Sequence, residues 1–353
     1  MTTSSNKKTF RDETFLGNIK LKNRFIRAAV GDHTDSGHLS EANMTTYRNL
    51  ARGGAAALIT GFTVVESKEQ VANIFSLAED SLIAEYSQLT KMIHEEGSKV
   101  ISQLVYLSGM FPISRPLAPS AGKNIYSQTE TFEMTKEEIK EMEQKFAQAA
   151  FRAKKAGFDG VELHCAHGFL HHQFFSPLFN HREDAYGGNI ENRSRFIIET
   201  YQRVREMVGD DFTIMAKISV EDGAPGGVSE EDYLYLSEKL SEMGINAIEV
   251  SGMWHSHKPK ERLYYRDAAI KIANKVSCKV IQTGGNRELD VLEDELNSSN
   301  VEYFGFARPF ICQPDWVNLY LAGVIQKPNC LSCNFCIRNA ENICVLKRKN
   351  IKK

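Results

Sequence analysis

The sequence lacks the features that mark two large classes of protein, membrane-spanning and nucleic-acid-binding proteins. No apolar run in its 353 residues approaches the roughly 18 that suggest a membrane span. The formal net charge of −2 leaves no overall basic field for nucleic acid. Residues 1–8 (MTTSSNKK) lack the apolar centre of a signal peptide. We therefore expect a cytoplasmic protein with neither nucleic acid nor membrane as partner.

The sequence also lacks the glycine-rich dinucleotide fingerprint after its first predicted strand, which makes a doubly wound open sheet the second choice of architecture. Short apolar runs alternate instead with amphipathic stretches. The predicted strands are residues 24–29, 55–60, 99–104, 159–163, 213–218, 247–250, 279–282 and 303–306. Eight strand–helix units with strands apolar on both faces predict an α/β fold, a (β/α)8 TIM barrel with long loops over its C-terminal face.

Helix-forming segments separate these strands, the clearest being residues 82–96, 136–156, 191–208 and 230–243. Thr135 and Ser229 each precede acidic residues, which predicts N-caps with acidic first turns. Three longer segments follow the third, fourth and sixth strands, and we expect them to cover the face at the carboxyl ends of the strands. They are residues 105–134, 165–189 and 252–265.

Cysteine is scarce and uneven, with seven residues of which four cluster near the end of the chain. Cys330, Cys333, Cys336 and Cys344 form a C-x2-C-x2-C-x7-C pattern, and four thiolates suffice for an iron–sulfur cluster or a tetrahedral zinc ion. The alternative is a set of reduced thiols that caps the barrel. We divide the chain into a barrel, residues 1–325, and a Cys-rich extension with a basic tail, residues 326–353.

Two histidines, His164 and His167, follow the fourth predicted strand, at the end of a barrel where catalytic residues lie. They can be ordinary loop histidines with satisfied hydrogen bonds. They can also be metal ligands, but a third ligand in register is missing. In a third interpretation, the two imidazoles aim N–H groups at one electronegative oxygen of a substrate.

Three further features lie at the carboxyl ends of the fifth, seventh and eighth strands. Gly284 and Gly285 allow backbone N–H groups to approach an anion, and Arg308 adds a bidentate donor, which predicts a phosphate site. Lys217 places a positive charge nearby, which suits a negatively charged or electron-accepting ring. Its alternatives are a salt bridge to Glu221 or Glu162, or a Schiff-base role in a phosphate-binding lyase or aldolase.

Several motifs in this order resemble the old yellow enzyme family of FMN-dependent NADH:flavin oxidoreductases and NADH oxidases, over residues 21–323. The matching segments are LKNRF at 21–25, AGFDGVELHCAHGFLHHQFFSP at 156–177, DAYGGNIENRSRF at 184–196, GG at 284–285 and ARPF at 307–310. The stretch CLSCNFC at 330–336 resembles the cluster-binding stretch of the branch that includes 2,4-dienoyl-CoA reductase and trimethylamine dehydrogenase. In that branch a [4Fe–4S] cluster connects the FMN to a second nucleotide-binding domain. The last gap in the cysteine pattern is shorter here.

The resemblance implies FMN across the barrel mouth, NAD(P)H as hydride donor, and a small electron-poor acceptor such as an activated enone, dienoyl, quinone or nitro compound. Gln103 and Lys217 would bind the pyrimidine side of the ring, and His164 and His167 the acceptor oxygen. The other implied FMN contacts are Ala28, Ala29, Gly31 and Gly61 along the ring, and Gly284, Gly285, Ala307 and Arg308 at the phosphate. The acceptor, the choice between NADH and NADPH, and a homo-oligomeric state stay open.

The sequence departs from the family in four places, one of which is residues 105–109 (VYLSG), a loose match to the family's usual segment after Gln103. Lys217 stands where the family usually has Arg, so the charge is kept but the bidentate fork is lost. Gly31 stands where many members have Thr or Cys. Phe169 replaces the Tyr that donates a proton to substrate carbon in many alkene reductases. Either another group such as Tyr106 or Tyr264 supplies that proton, or the acceptor needs no protonation at carbon.

Overall fold

Eight parallel strands close into a barrel in the computed structural model, which describes residues 7–31, 36–69, 74–111, 113–253, 262–338 and 343–347. Each strand pairs with the next along the chain, and the eighth pairs with the first. The strands are β1 Phe25–Arg27, β2 Ala57–Val64, β3 Lys99–Val105, β4 Gly160–Cys165, β5 Thr213–Ser219, β6 Ala247–Ser251, β7 Lys279–Thr283 and β8 Tyr303–Phe306. The predicted (β/α)8 barrel is confirmed.

Helices follow each barrel strand. They are α1 Glu41–Arg52, α2 Ile83–Glu95, α3 Lys136–Lys155, α4 Ile190–Val208, α5 Glu230–Glu242, α6 Arg266–Ala273, α7 Leu289–Ser298 and α8 Trp316–Leu321. Shorter helical segments are Ser67–Glu69, Asp80–Leu82, Leu170–Phe175, Arg308–Cys312 and Phe335–Arg338. Thr135 and Ser229 cap α3 and α5 through reciprocal capping boxes, as predicted. In the described ranges no helix has the length and apolar character to cross a membrane.

A hairpin that the sequence did not predict closes the amino-terminal end of the barrel. Its strands are Thr14–Leu16 and Ile19–Leu21. Leu16, Ile19 and Leu21 pack against the inward-facing residues of the barrel strands in one buried cluster. The backbone N–H of Asn18, in the turn of this hairpin, donates to Thr213 Oγ1 at the start of β5. The floor of the barrel is therefore apolar, and polar chemistry is left to the opposite end.

The covering segment after β3 forms a small sheet of Leu117–Ala118, Gly122–Lys123 and Glu130–Glu133. Tyr126 within it donates from its hydroxyl to the Asp222 carbonyl, which ties this sheet to the loop after β5. One further strand, Phe75–Ser76, pairs in parallel with the carboxyl end of β2. Residues 254–261 of the predicted covering segment after β6, and residues 348–353 of the basic tail, lie outside the described residues.

Candidate active site

The alternation of side chains along the strands places five polar residues in the barrel interior. On β4, Val161, Leu163 and Cys165 belong to the outer core beneath the helices. Glu162 and His164 therefore face inward. On the neighbouring strands, the same alternation turns Gln103, Lys217 and Glu249 inward. Strand register sets His164 beside Lys217, Lys217 beside Glu249, and Glu162 beside Gln103.

The two predicted catalytic histidines lie together at the end of β4. Their ring centroids are 5.1 Å apart and the rings are perpendicular. His164 is 1 % exposed, and neither of its ring nitrogens has a hydrogen-bond partner in the described structure. Burial, and then the neighbouring charges of His167 and Lys217, lower the pKa of His164 well below its ordinary value. The imidazole is therefore neutral, with one N–H and one lone pair for a ligand.

His167 is held differently from His164, in a turn that the backbone of few residues adopts. Its φ is +60°, in the left-handed region. Its backbone N–H donates to Ser219 Oγ at 3.1 Å, and its Nε2 lies 2.9 Å from Ser251 Oγ. The two serines end β5 and β6, so adjacent strands fix the orientation of this ring.

A buried histidine–aspartate pair, which the sequence analysis missed, supports the same turn. His172 Nδ1 accepts from the Gly168 backbone N–H at 2.9 Å, and His172 Nε2 lies 3.0 Å from Asp222 Oδ1. Both side chains are fully buried. His172 lies seven residues beyond the end of β4 and carries no sequence signal of its own, because its partner Asp222 is 50 positions distant.

Phe169 lies beside His164 rather than in the outer core. Its ring centroid is 4.7 Å from that of His164 and 4.9 Å from that of Phe62. Phe62 also stacks on His164, with centroids 5.5 Å apart. Phe169 therefore places an apolar ring beside the imidazole, at the position where many family members have Tyr.

The salt bridge of Lys217 has a partner other than the two predicted. Lys217 Nζ lies 2.9 Å from Glu249 Oε1, with both side chains at least 96 % buried, so the prediction of Glu221 or Glu162 is wrong. The reason is strand register, which sets Glu249 on β6 directly opposite Lys217. Glu162 instead accepts from Gln103 Nε2 at 2.6 Å. An ion-paired ammonium is not a nucleophile, which disfavours the Schiff-base alternative.

The predicted phosphate site has its glycines in place, but a loop packs closely on them. Gly284 and Gly285 have φ of +127° and +74°, and a Cβ at either position would lie within 2.9 Å of the segment 262–265. Arg308 donates from Nη2 to the Tyr264 hydroxyl at 2.8 Å and from Nη1 to Asn334 Oδ1. In this structure the two glycines therefore face this loop, and Arg308 is hydrogen-bonded within the protein.

The structure brings the remaining predicted ring contacts to the same end of the barrel. Ala28 is buried, and its N–H donates to the Phe306 carbonyl at 3.2 Å. The Gly61 N–H donates to the Tyr47 hydroxyl at 3.3 Å. The backbone N–H groups of Ala28 and Gly61 are thus engaged within the protein. Ala29 packs on the inner core, Gly31 lines a groove beside α1, and Ala307 is the N-cap of the short helix that begins at Arg308.

The residues present fit a bound flavin at its ring end. His164 Nδ1 and Nε2 and Gln103 Oε1 are buried polar atoms without a partner among the described residues. Such atoms are costly unless a ligand satisfies them. Lys217 adds a cation on the strand between those of His164 and Glu249.

The four clustered cysteines line one small cavity together with Arg308 and Asn334. The turn between them bends through positive φ at Ser332 and Asn334, and the Ser332 N–H donates to Cys330 Sγ at 3.4 Å. Within the described ranges, no three Cys, His, Asp or Glu groups are arranged to hold a metal ion. The thiols therefore share a site, but their present arrangement is not a coordination sphere.

Comparison with known proteins identifies the family. The sequence model of the NADH:flavin oxidoreductase / NADH oxidase family matches residues 14–323. A metal reductase of Desulforamulus reducens is 31 % identical over 332 residues, which are 90 % of this chain and 50 % of the relative. An NADH oxidase of Thermoanaerobacter brockii is 31 % identical over 341 residues, 90 % of this chain and 52 % of the relative. The chain spans about half the length of these relatives.

Solved structures show the same fold. A 2-naphthoyl-CoA reductase in complex with 2-naphthoyl-CoA superposes with a TM-score of 0.84 over 92 % of this chain and 54 % of that one, at 24 % identity. The sequence-based expectation of family, and with it FMN and NAD(P)H as cofactors, is confirmed by the family match. The chain belongs to the NADH:flavin oxidoreductase / NADH oxidase family, the old yellow enzyme family of oxidoreductases.

Proposed function

We propose that this chain transfers hydride from NAD(P)H to a small, electron-poor acceptor, such as an activated enone, dienoyl, quinone or nitro compound. The observation that carries the proposal is His164, a buried neutral imidazole without a partner in the described structure, next to His167 and in register with Lys217. When bound, FMN would supply the hydride transfer itself. The protein residues would bind, orient and polarise.

In this proposal the two histidines hold the acceptor oxygen. His164 donates its single N–H without carrying a charge, because burial keeps its pKa far below neutrality. His167 offers a ring whose orientation Ser251 fixes. Donors preorganised in a site that excludes water stabilise the negative charge that develops on a carbonyl or nitro oxygen. Gln103 and Lys217 would face the pyrimidine side of FMN, and Arg308 with the two glycines its phosphate.

Phe169 lies beside the His164 imidazole at the position where many family members have Tyr, and this bears on the acceptor. Phe169 and Phe62 are the aromatic walls next to that imidazole, and neither donates a proton. Quinones and nitro compounds accept protons at oxygen, within reach of histidine N–H groups. We therefore favour these classes over enones and dienoyl compounds, whose reduction needs a proton at carbon.

Anaerobic titration of the purified protein tests the proposal. FMN is added, free FMN is removed, and NADH or NADPH is then titrated while flavin absorbance is followed. The expected result is retained yellow colour, loss of absorbance with one or both nucleotides, and recovery of absorbance with a quinone. A colourless protein that does not rebind FMN would overturn the proposal.

We propose a metal centre at Cys330, Cys333, Cys336 and Cys344 as a second feature of the protein. Four thiols around one cavity support it, and the described geometry implies that they must move closer to coordinate a metal. Iron, zinc and acid-labile sulfide are assayed in protein purified anaerobically. Cys333→Ser should lose the metal, whereas the matched variant Cys278→Ser, outside this cavity, should keep it. Metal-free wild-type protein would contradict the proposal.

A further inference from the structure

Three ionisable side chains are buried side by side in the barrel interior, on three consecutive strands. Glu162 on β4 and Glu249 on β6 are 0 % exposed, and Lys217 on β5 between them is 3 % exposed. Lys217 Nζ pairs with Glu249 Oε1 at 2.9 Å. Gln103 Nε2 donates to Glu162 Oε2 at 2.6 Å. These four residues form one polar network that ends at His164, the register neighbour of Lys217.

The charges of this network balance only if one carboxyl group keeps its proton. Two carboxylates and one ammonium would leave a net negative charge in a region of low dielectric, which is costly. Burial, and then the Glu249 carboxylate, raise the pKa of Glu162 well above its ordinary value. Burial opposes ionisation of Glu249 too, but the charge of Lys217 and the hydrogen bonds from Glu162, Lys217 and Thr283 together outweigh burial and lower the pKa of Glu249. The network therefore contains neutral Glu162, anionic Glu249 and cationic Lys217.

The hydrogen bonds agree with this assignment. Neither Glu162 Oε1 nor Glu249 Oε2 has a hydrogen-bond partner in the part of the chain that the structure describes. Each carboxyl group shifts the pKa of the other, and a proton held on Glu162 would give both oxygens a partner. Gln103, Glu162 and Glu249 thus form a chain that holds the counter-ion of Lys217 in one place.

We propose that Glu249 is a tuning residue, which acts through Lys217 and sets how strongly the site stabilises negative charge on the bound flavin. The inference rests on the proposed function, because it requires FMN beside Lys217. An ammonium whose charge is balanced by a carboxylate attracts extra electrons on the ring less than an unbalanced one does. Glu162 is the reserve carboxyl, held neutral only as long as Glu249 is charged.

This arrangement predicts an unusual order among substitutions. Glu162→Gln replaces a neutral carboxyl by a neutral isostere and should change little. Glu249→Gln removes the counter-ion, but Glu162 can then ionise and partly take its place. Only the double variant Glu162→Gln/Glu249→Gln leaves Lys217 unbalanced. Glu249→Asp keeps the charge and should resemble wild type.

Sulfite provides the measurement, since this anion adds reversibly to oxidised flavin, bleaches it and leaves negative charge on the ring. Its dissociation constant should fall at least about tenfold in the double variant, less in Glu249→Gln, and by under about threefold in Glu162→Gln. The midpoint potential of the flavin, measured with reference dyes, should rise in the same order. FMN content and thermal unfolding are recorded for each variant.

A further double variant tests the inference if the variants of Glu162 and Glu249 misfold. Lys217→Met/Glu249→Met removes both charges, and replacing a buried ion pair by apolar residues is often tolerated. Its sulfite dissociation constant should rise at least about tenfold, because no cation remains. If FMN binds to these double variants but their sulfite affinity stays within about twofold of wild type and the midpoint potential of the flavin does not shift, the inference is wrong and the proposed function stands. If wild-type protein cannot bind FMN, both fail.

Discussion

At the scale of single residues, His164 combines burial with unused hydrogen-bonding capacity. A buried polar atom without a partner costs about 1–3 kcal/mol, so two such atoms on one ring are retained only where something offsets the cost. In His171, only seven positions on, the ring nitrogens are also without partners in the described structure, but that ring is stacked on Phe196 in the outer core. His164 instead lies beside charged Lys217 and the second histidine, which supports its proposed role in binding a ligand.

We expect His164→Ala to weaken binding of phenolate ligands to the FMN-loaded protein at least about tenfold, the worth of one hydrogen bond to a charged oxygen. FMN itself should stay bound. The measurement is titration of p-substituted phenols, followed by their long-wavelength absorbance over the flavin. The control is His94→Ala, since His94 pairs with Asp159 at the opposite end of β4. Equal phenol affinity in both variants would contradict the role given to His164.

Phe169→Tyr restores a hydroxyl at the ring that contacts His164. We expect the rate of alkene reduction to rise about tenfold or more, as general acid catalysis contributes on this order, with quinone reduction unchanged. Both rates are measured with reduced enzyme in stopped flow. A parallel change in the two rates would show that the hydroxyl acts on binding, and no change would show that protons already reach the alkene from elsewhere.

At the scale of elements, local signals predicted the strands and helices within a few residues, because each depends on periodicity and caps. The register between neighbouring strands could not be predicted from these local signals. Which carboxylate pairs with Lys217 depends on the register of β5 and β6. For that reason the prediction of Glu221, which is closer to Lys217 in the sequence, was wrong. The hairpin Thr14–Leu16 and Ile19–Leu21 was missed because three-residue strands carry too little pattern. The histidine pair, by contrast, was visible because both rings follow one strand.

Thr135 is the element-scale test, since it caps α3 through a capping box with Glu138. We expect Thr135→Ala to lower the free energy of unfolding by about 1 kcal/mol, measured by chemical denaturation. Thr135→Ser keeps the hydroxyl and should stay within a few tenths of a kcal/mol of wild type. A loss of similar size in both variants would show that the methyl group, not the cap, matters.

At the scale of the whole molecule, the barrel has an apolar floor and a polar mouth. Leu16 from the hairpin is fully buried in the floor, and Leu16→Ala should cost about 2–5 kcal/mol of unfolding free energy. Phe15→Ala, at a position 57 % exposed in the same hairpin, should cost far less. Because the floor and mouth are separate, FMN affinity should be equal in both variants. A selective loss of FMN binding in Leu16→Ala would show that the two ends are coupled.

Global stability also responds to pH through histidines that fold in the neutral state. Burial lowers the pKa of His171 from 6.5 to about 3. The unfolded chain therefore takes up a proton at this residue below pH 6.5 and the folded protein does not, so the contribution of His171 to stability is lost as pH falls. His171→Leu removes that loss. Relative to wild type, the variant should gain about 1.4 kcal/mol per pH unit below 6.5.

Between pH 7.5 and 5.0 the difference in unfolding free energy between His171→Leu and wild type should accordingly shift by about 2 kcal/mol in favour of the variant. Any packing change from the substitution is independent of pH and cancels in this comparison. Urea denaturation at the two pH values gives the four free energies required. A pH-independent difference for His171→Leu would mean that its imidazole is protonated in the folded protein, against its burial between Phe146 and Phe196.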